Sequence, residues 1–252
     1  MAQETPSVVA RPNYFLEFLV VFLGVTISFW LSEWNDGRKM EELHKEDVIS
    51  LLEDLERDRL RLEAVHLSAE RGVQRTRRVI EVTEDYRYNR VGYQAFSDSL
   101  IDIGYLYGYS TFFMNSATYK SLISSARIQQ FPHQINKQIR DYYEYVSKRV
   151  EDNNDIVDAI ALRYYNEFHP FCLLVNVDDR DRSVEDRAFF DDAENMRHYS
   201  SVPFYHQTIA LHDRTLVHQR QIAQYQSIRD SLDGLLRDYA GSLLREGQLL
   251  EE

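Results

Sequence analysis

An almost uninterrupted apolar run opens the hydrophobic pattern of this chain. It begins at Tyr14, reads YFLEFLVVFLGVTISFWL and contains one charge, Glu17. At about 1.5 Å per residue a helix of this length spans roughly 27 Å, near the lower limit for crossing a bilayer. Tyr14 at one end and Trp30 and Trp34 at the other suit the headgroup region, where aromatic side chains are enriched. The run predicts a transmembrane anchor over residues 14–34.

Two other interpretations of this run stay open. A buried core helix is also apolar, but it rarely opens a chain with so continuous a run. A cleaved signal peptide would need a basic preceding region and a small-residue cleavage site. This chain has only Arg11 before the run and the bulky S-E-W-N sequence after it. We therefore expect the segment to stay attached to the protein.

Four residues of the anchor recur at seven- and four-residue spacing and so share one helix face. They are Glu17, Gly24, Ser28 and Ser32. Gly24 and Ser28 form a small-xxx-small pair, which allows another helix to approach closely. A carboxylate inside an apolar run costs free energy unless it is paired or reaches the interface. The pattern predicts a docking face for a partner helix; the alternative is a Glu that snorkels among incidental small residues.

A narrow apolar stripe follows the anchor. Past a predicted break at Asn35-Asp36-Gly37, a polar helical pattern continues to about Val82. Its apolar positions keep three-, four- or seven-residue spacing and are Val48, Leu51, Leu55, Leu62 and Val65. Asp54 and Asp58 are assigned to the outer faces of this helix. The pattern predicts a stalk helix over residues 35–82, behind a short tail over residues 1–13.

Residues 83–252 predict a helical bundle domain that packs on the stalk. One helix should start near Asn115 or Ser116, and a longer one should run from Pro132 to about Phe168. A final helix should start near Pro203, after an acidic, loop-like stretch over residues 176–195. The chain has only 9 Gly and 5 Pro, too few for the frequent turns of a β fold. The expected fold is all-α, with one N-terminal transmembrane helix followed by an elongated antiparallel helical bundle.

The charge balance narrows the range of partners. The formal net charge is -12, so the surface repels phosphate backbones, and we expect no nucleic-acid partner. The single cysteine, Cys172, allows no intrachain disulfide.

The sequence contains no recognisable catalytic or metal-binding pattern. None of the 8 histidines forms an i,i+4 metal pair or an H-E-x-x-H motif. Cys172 lies among apolar residues, where a thiol is usually an inert small hydrophobe. The segment NVDDRDRSVED lacks the glycine of a calcium loop and has Arg180 at a ligand position. We expect a protein that is not an enzyme and that binds no cofactor and no metal.

Two blocks in the middle of the chain carry a family resemblance. Residues 115–128 read NSATYKSLISSARI, and residues 139–143 read IRDYY. Together with Glu17, Gly24 and S-E-W-N in the anchor, they resemble a bacterial single-pass membrane family known as domain of unknown function 6090. Its members usually have a glycine where Ala126 stands and a strongly basic N-terminal tail, which this chain lacks. The family supplies no activity and no catalytic residues.

The count of basic residues and the family resemblance imply opposite topologies. The basic residues Arg38, Lys39 and Lys45 outnumber Arg11 and the terminal amine, which leans towards a cytoplasmic C-terminal domain. The resemblance implies the opposite, with the N-terminus inside and the bundle outside. We expect the bacterial inner membrane, with the soluble domain in the periplasm.

These features favour an accessory or structural subunit of a larger membrane assembly, photosynthetic, respiratory or envelope. Its partners would be other integral membrane subunits, with the bilayer around residues 14–34 and self-association as a further expectation. The alternative is a membrane-anchored sensor or signalling stalk. A sensor would need a domain on the other side of the membrane, and the 13 residues before the anchor are too few to fold as one.

Overall fold

The computed structural model describes residues 14–104, 106, 110–174 and 183–249. Within these ranges the chain consists of helices and connecting segments, with no strand, so the predicted all-α class is confirmed. The chain divides into two compact units, Met1–Asp47 and Val48–Glu252. Helix α1, Tyr14–Arg87, begins in the first unit and ends in the second.

The first unit is helical in all of its described residues, 14–47. Every side chain from Phe18 to Leu43 is exposed. The predicted break at Asn35-Asp36-Gly37 is wrong, because these residues are helical. A glycine costs a helix only about 1 kcal/mol relative to alanine, and the absence of proline leaves every backbone N–H available. In the described part of the chain, α1 alone is long and apolar enough to cross a membrane, and none of its apolar window is buried.

The second unit contains the rest of α1 and eight further α-helices among the described residues. They are α2 (Tyr93–Ile103), α3 (Ala117–Ser124), α4 (His133–Arg140), α5 (Ser147–Arg163), α6 (Phe171–Leu174), α7 (Ser183–Asp191), α8 (Ala193–Tyr199) and α9 (Val202–Leu249). A 3₁₀ turn spans Arg127–Gln130. The predicted final helix is confirmed, with Pro203 in its first turn.

The predicted helix from Pro132 to Phe168 is confirmed as one continuous helical stretch, but two π-helical segments interrupt its α-helical winding. They are Asp141–Val146 and Tyr164–Phe168. Each segment buries two consecutive tyrosines, Tyr142 with Tyr143 and Tyr164 with Tyr165. Adjacent residues of an α-helix diverge by about 100°, so the wider π turn allows both rings to face the core.

The acidic stretch over residues 176–195 was predicted to be a loop. Residues 176–182 lie outside the described residues, and the prediction is wrong for most of the rest, which belongs to α7 and α8. Phe190 in α7 is fully buried. The Asp192 side chain caps α8 by accepting hydrogen bonds from the backbone N–H groups of Glu194 and Asn195. Aromatic burial and this cap outweigh the polar composition.

Two apolar clusters form the core of the second unit. The predicted stripe of α1 is buried throughout and packs in the first cluster with α3, α4, the π segment at residues 141–146 and α9. The second cluster joins the end of α1 to α2, α5, α7, α8 and the start of α9. It is rich in aromatic side chains, including Phe96, Phe171, Phe190, Tyr199 and Phe204. Helix α9 contributes to both clusters and thereby links them.

Candidate functional site

The predicted docking face of the anchor forms a shallow depression on α1. Gly24, Ser28 and Ser32 line it together, as predicted from their spacing, with Val21, Val25 and Phe29 around them. The Ser28 hydroxyl donates a hydrogen bond to the Gly24 carbonyl at 2.8 Å, so it needs no external partner. A side chain built on Gly24 would meet no atom within 4 Å. This face therefore leaves room for another helix to approach closely, but its Ser28 hydroxyl is already hydrogen-bonded within α1.

The remaining predicted anchor residues are only partly defined. The backbones of Glu17 and Tyr14 belong to α1, but their side chains lie outside the described part of the structure. Trp30 and Trp34 are 67% and 56% exposed, as a ring at a lipid interface requires. Sequence reasoning missed one contact here, in which the guanidinium of Arg38 lies 5.3 Å from the centre of the Trp34 ring. The four-residue spacing of the pair was the available signal.

The second unit contains a polar site around a non-helical strap, which we define as residues 110–116. The strap runs antiparallel to α1. Its Ser110 hydroxyl donates a hydrogen bond to the hydroxyl of Ser68 on α1, and its Phe113 carbonyl accepts one from Arg61. An extended segment at a helical core cannot satisfy its own backbone groups. Side chains from surrounding helices must therefore do so.

Helices distant in sequence supply these hydrogen bonds. Asn154 on α5 donates to the Phe112 carbonyl at 2.8 Å, and Asn154 and Phe112 are both buried. His218 on α9 lies 3.1 Å from the Ser110 carbonyl through Nε2. Burial lowers the pKa of His218 and favours the neutral ring. Because its Nδ1 faces the Asn153 amide nitrogen at 2.9 Å and must accept, Nε2 carries the proton and donates to the strap.

Two buried carboxylates of α1 hold the other end of the strap. Asp54 and Asp58 are 2% and 0% exposed, so their assignment to the outer faces was wrong. Asn115 bridges them, since its backbone N–H donates to Asp58 at 2.9 Å and its side-chain amide to Asp54 at 2.7 Å. Asp54 also accepts from the Thr118 N–H at 3.2 Å and so caps the start of α3. The expected cap Ser116 makes no such bond.

Burial dominates the electrostatics of Asp58. It raises the pKa of this carboxyl to about 6, although hydrogen bonds from the Asn115 N–H and the Tyr142 hydroxyl act in the opposite direction. The Tyr142 hydroxyl donates to Asp58 at 2.9 Å, and burial together with that carboxylate raises the pKa of Tyr142. The adjacent Tyr143 hydroxyl is buried and has no hydrogen-bond partner among the described residues. Asp58, Tyr142 and Tyr143 are all buried, and burial disfavours the charged form of each of these groups.

The strap site brings together two sequence blocks, residues 115–128 and residues 139–143. Asn115 comes from the first block, and Tyr142 comes from the second. Tyr119 of the first block stacks on Tyr143 of the second with ring centres 4.9 Å apart. The missed partner, Asp58, continues the three- and four-residue spacing of the α1 stripe, and that register was the signal for its burial.

Chemically, the strap site is built for holding a segment in place. Its buried side chains hydrogen-bond to one another and to the strap backbone, while the Tyr143 hydroxyl and the Asn154 carbonyl oxygen have no partner among the described residues. Within the described ranges, no group of three or more His, Cys, Asp or Glu side chains is arranged to hold a metal ion. The geometry supports clamping of the strap between α1, α5 and α9.

The fold defines a class: an all-helical protein with one candidate membrane-spanning helix near its N-terminus. Comparison with known proteins takes this no further, because no family model, no curated protein and no solved structure matches the chain. The resemblance to domain of unknown function 6090 therefore stays a prediction.

Proposed function

We propose that this chain is a non-catalytic accessory subunit of a larger bacterial membrane complex, photosynthetic, respiratory or envelope. Residues 14–34 hold it in the inner membrane, and its helical bundle provides contacts to other subunits, on the periplasmic side. The observation that carries the proposal is the complete exposure of the apolar window of α1.

The exposed anchor demands an apolar environment. Its large apolar side chains between residues 18 and 31 all stand free, and they are Phe18, Leu19, Val20, Val21, Phe22, Leu23, Val25, Ile27, Phe29, Trp30 and Leu31. Burying a side chain of this kind stabilises by about 2 kcal/mol, so the eleven together represent about 20 kcal/mol. A gain of this size favours the lipid bilayer over water by a wide margin.

The depression at Gly24 supports a protein partner within that bilayer. Lipid chains are as apolar as leucine, so membrane helices associate through close packing at small residues. Gly24 and Ser28 leave the required space, and the intrahelical hydrogen bond of Ser28 removes the cost of bringing its hydroxyl to the contact. The occupant that fits is a transmembrane helix of another subunit.

A non-catalytic role agrees with the use of the polar groups in the second unit. Asp58 and His218 would be the candidates for acid–base chemistry. Both are fully buried, and both direct their hydrogen bonds to the strap and its neighbours. Buried groups with these partners stabilise the fold. They could contact a substrate only if the fold opened around them.

The test is extraction from native membranes in a mild detergent, followed by size separation and identification of the co-migrating proteins. We expect a stable large complex. The double substitution Gly24→Ile with Ser28→Leu should release the chain from it, because side chains would fill the depression without disturbing the isolated helix.

Thr26→Leu is a matched control for this experiment. Thr26 lies on the opposite face of the same helix, and its hydroxyl donates to the Phe22 carbonyl at 2.8 Å, as that of Ser28 does to Gly24. It should leave the complex intact. Migration of the unaltered chain as a lone monomer or homodimer would contradict the accessory role and favour the sensor alternative.

A further inference from the structure

We infer that Arg38, stacked on Trp34, binds the phosphate groups of the lipid headgroups at the C-terminal end of the anchor. This inference rests on the proposed function, since it takes residues 14–34 to cross a bilayer. It adds a lipid contact outside the predicted span and fixes the depth of the helix in the membrane.

The stack sets the height of the Arg38 charge. Side chains of a helix lean towards its N-terminus, and the 5.3 Å contact shows that the Arg38 guanidinium reaches back to the ring of Trp34. Trp34 is three residues beyond Leu31, the last residue of the apolar run, which is roughly 4.5 Å along the axis. The headgroup layer on each side of the hydrocarbon core is about 5 to 8 Å thick. The guanidinium therefore lies at the level of the lipid phosphates.

Neighbouring charges leave Arg38 available for an anion. Among the described residues Arg38 is in no ion pair within 4.0 Å, although Glu41 is close enough to interact with it at longer range. The Lys45 ammonium forms an ion pair with the Glu41 carboxylate at 2.8 Å. The hydrogen bond from Lys45 is the main cause that lowers the pKa of Glu41. The ion pair with Lys45 thus makes Glu41 a weaker competitor for the guanidinium.

The chemistry of the pair favours a lipid phosphate. A guanidinium presents planar N–H donors that match a phosphate, and stacking on an indole holds the group in one orientation while its edge stays free. The acidic residues Glu33, Asp36 and Glu42 nearby disfavour a surface of high negative charge. The expected ligand is therefore the phosphodiester itself, which is present in zwitterionic lipids.

The experiment uses the full chain with arginines carrying ¹³C at Cζ, reconstituted in phosphatidylcholine bilayers. Solid-state NMR measures dephasing of the Arg Cζ signal by lipid ³¹P, which reports guanidinium–phosphate proximity. We expect a dephased component that Arg38→Gln removes and that the matched substitution Arg57→Gln, on a residue paired with Glu53 and Asp54, leaves unchanged. Persistence of all the dephasing in Arg38→Gln would overturn the inference.

A second measurement separates this inference from the proposed anchor. In a Trp30→Phe background, Trp34 is the only tryptophan, and brominated lipids quench it when it lies in the bilayer. Quenching near the headgroups together with the Arg38-dependent dephasing supports both ideas. Quenching without that dephasing leaves the anchor and overturns the phosphate contact. An absence of quenching overturns both.

Discussion

Ala126 has a backbone conformation that its side chain disfavours. Its φ of 59° lies in the left-handed region, between α3 and the following 3₁₀ turn. This conformation costs an L-residue about 1–2 kcal/mol, whereas glycine adopts it freely. Glycine would therefore fit this position without strain.

We predict that Ala126→Gly raises the free energy of unfolding by about 1 kcal/mol, because relief of the strain exceeds the extra flexibility of glycine in the unfolded chain. Denaturation of the full chain in mild detergent, followed by circular dichroism, measures the change. The control is Ala95→Gly on the exposed surface of α2, which should lower stability by about 1 kcal/mol. A loss of stability in both variants would show that residue 126 is not left-handed.

Asp58 should make the protein less stable as the pH rises from about 4 to 6. Its pKa is raised from 3.8 to about 6, so the folded chain holds the proton more tightly than the unfolded chain. The stability from this proton is complete below about pH 4 and is lost as the pH rises to 6, a change of about 3 kcal/mol.

We predict that Asp58→Asn removes this pH dependence, since an amide does not titrate. The quantity to compare is the difference in unfolding free energy between the parent chain and the variant, measured from pH 4 to pH 7. Other carboxyls titrate in both chains and cancel. The parent should lose about 3 kcal/mol relative to the variant across this range. A constant difference would mean that the Asp58 pKa is not raised.

Among the elements, the strap depends on single side chains for its backbone hydrogen bonds. We predict that Asn154→Ala destabilises the fold by about 2 kcal/mol, because the buried Phe112 carbonyl would lose its donor. Asp155→Ala is the control, since Asp155 is the next residue of α5 and is exposed. It should change stability by less than about 0.5 kcal/mol. Equal effects of the two substitutions in chemical denaturation would contradict the clamp.

The helices and the strap differ in how far the sequence predicts them. The long helix after Pro132 was predictable because its apolar seam repeats and Pro132 and His169-Pro170 bound it. The strap has no period, and its partners Asn154 and His218 lie 42 and 108 residues away from the carbonyls they bind. The burial of Asp54 and Asp58 was hard to predict for the same reason. A charged side chain at a core position is buried only if hydrogen-bond partners from other parts of the sequence pack against it.

At the scale of the whole molecule, the single cysteine gives a test of the proposed periplasmic placement. Cys172 is buried, and burial raises its pKa to about 12, so its thiol is unreactive in the folded chain. We predict that Asp155→Cys, at an exposed position, reacts with a membrane-impermeant maleimide in spheroplasts. The parent chain should stay unlabelled before and after lysis. Labelling of the variant only after lysis would place the domain in the cytoplasm.

The first cluster also has a consequence for the timing of synthesis. It packs the stripe of α1, which ends at Val65, against α9 from Ile222 onwards, and about 160 residues separate the two. At about 5–20 residues per second, a ribosome needs roughly ten to thirty seconds to cover that distance. During this interval α3, α4 and the π segment can cover only part of the stripe, and the side that packs against α9 stays exposed beside a growing chain. Chaperone occupancy of nascent chains should therefore fall only once α9 has been made.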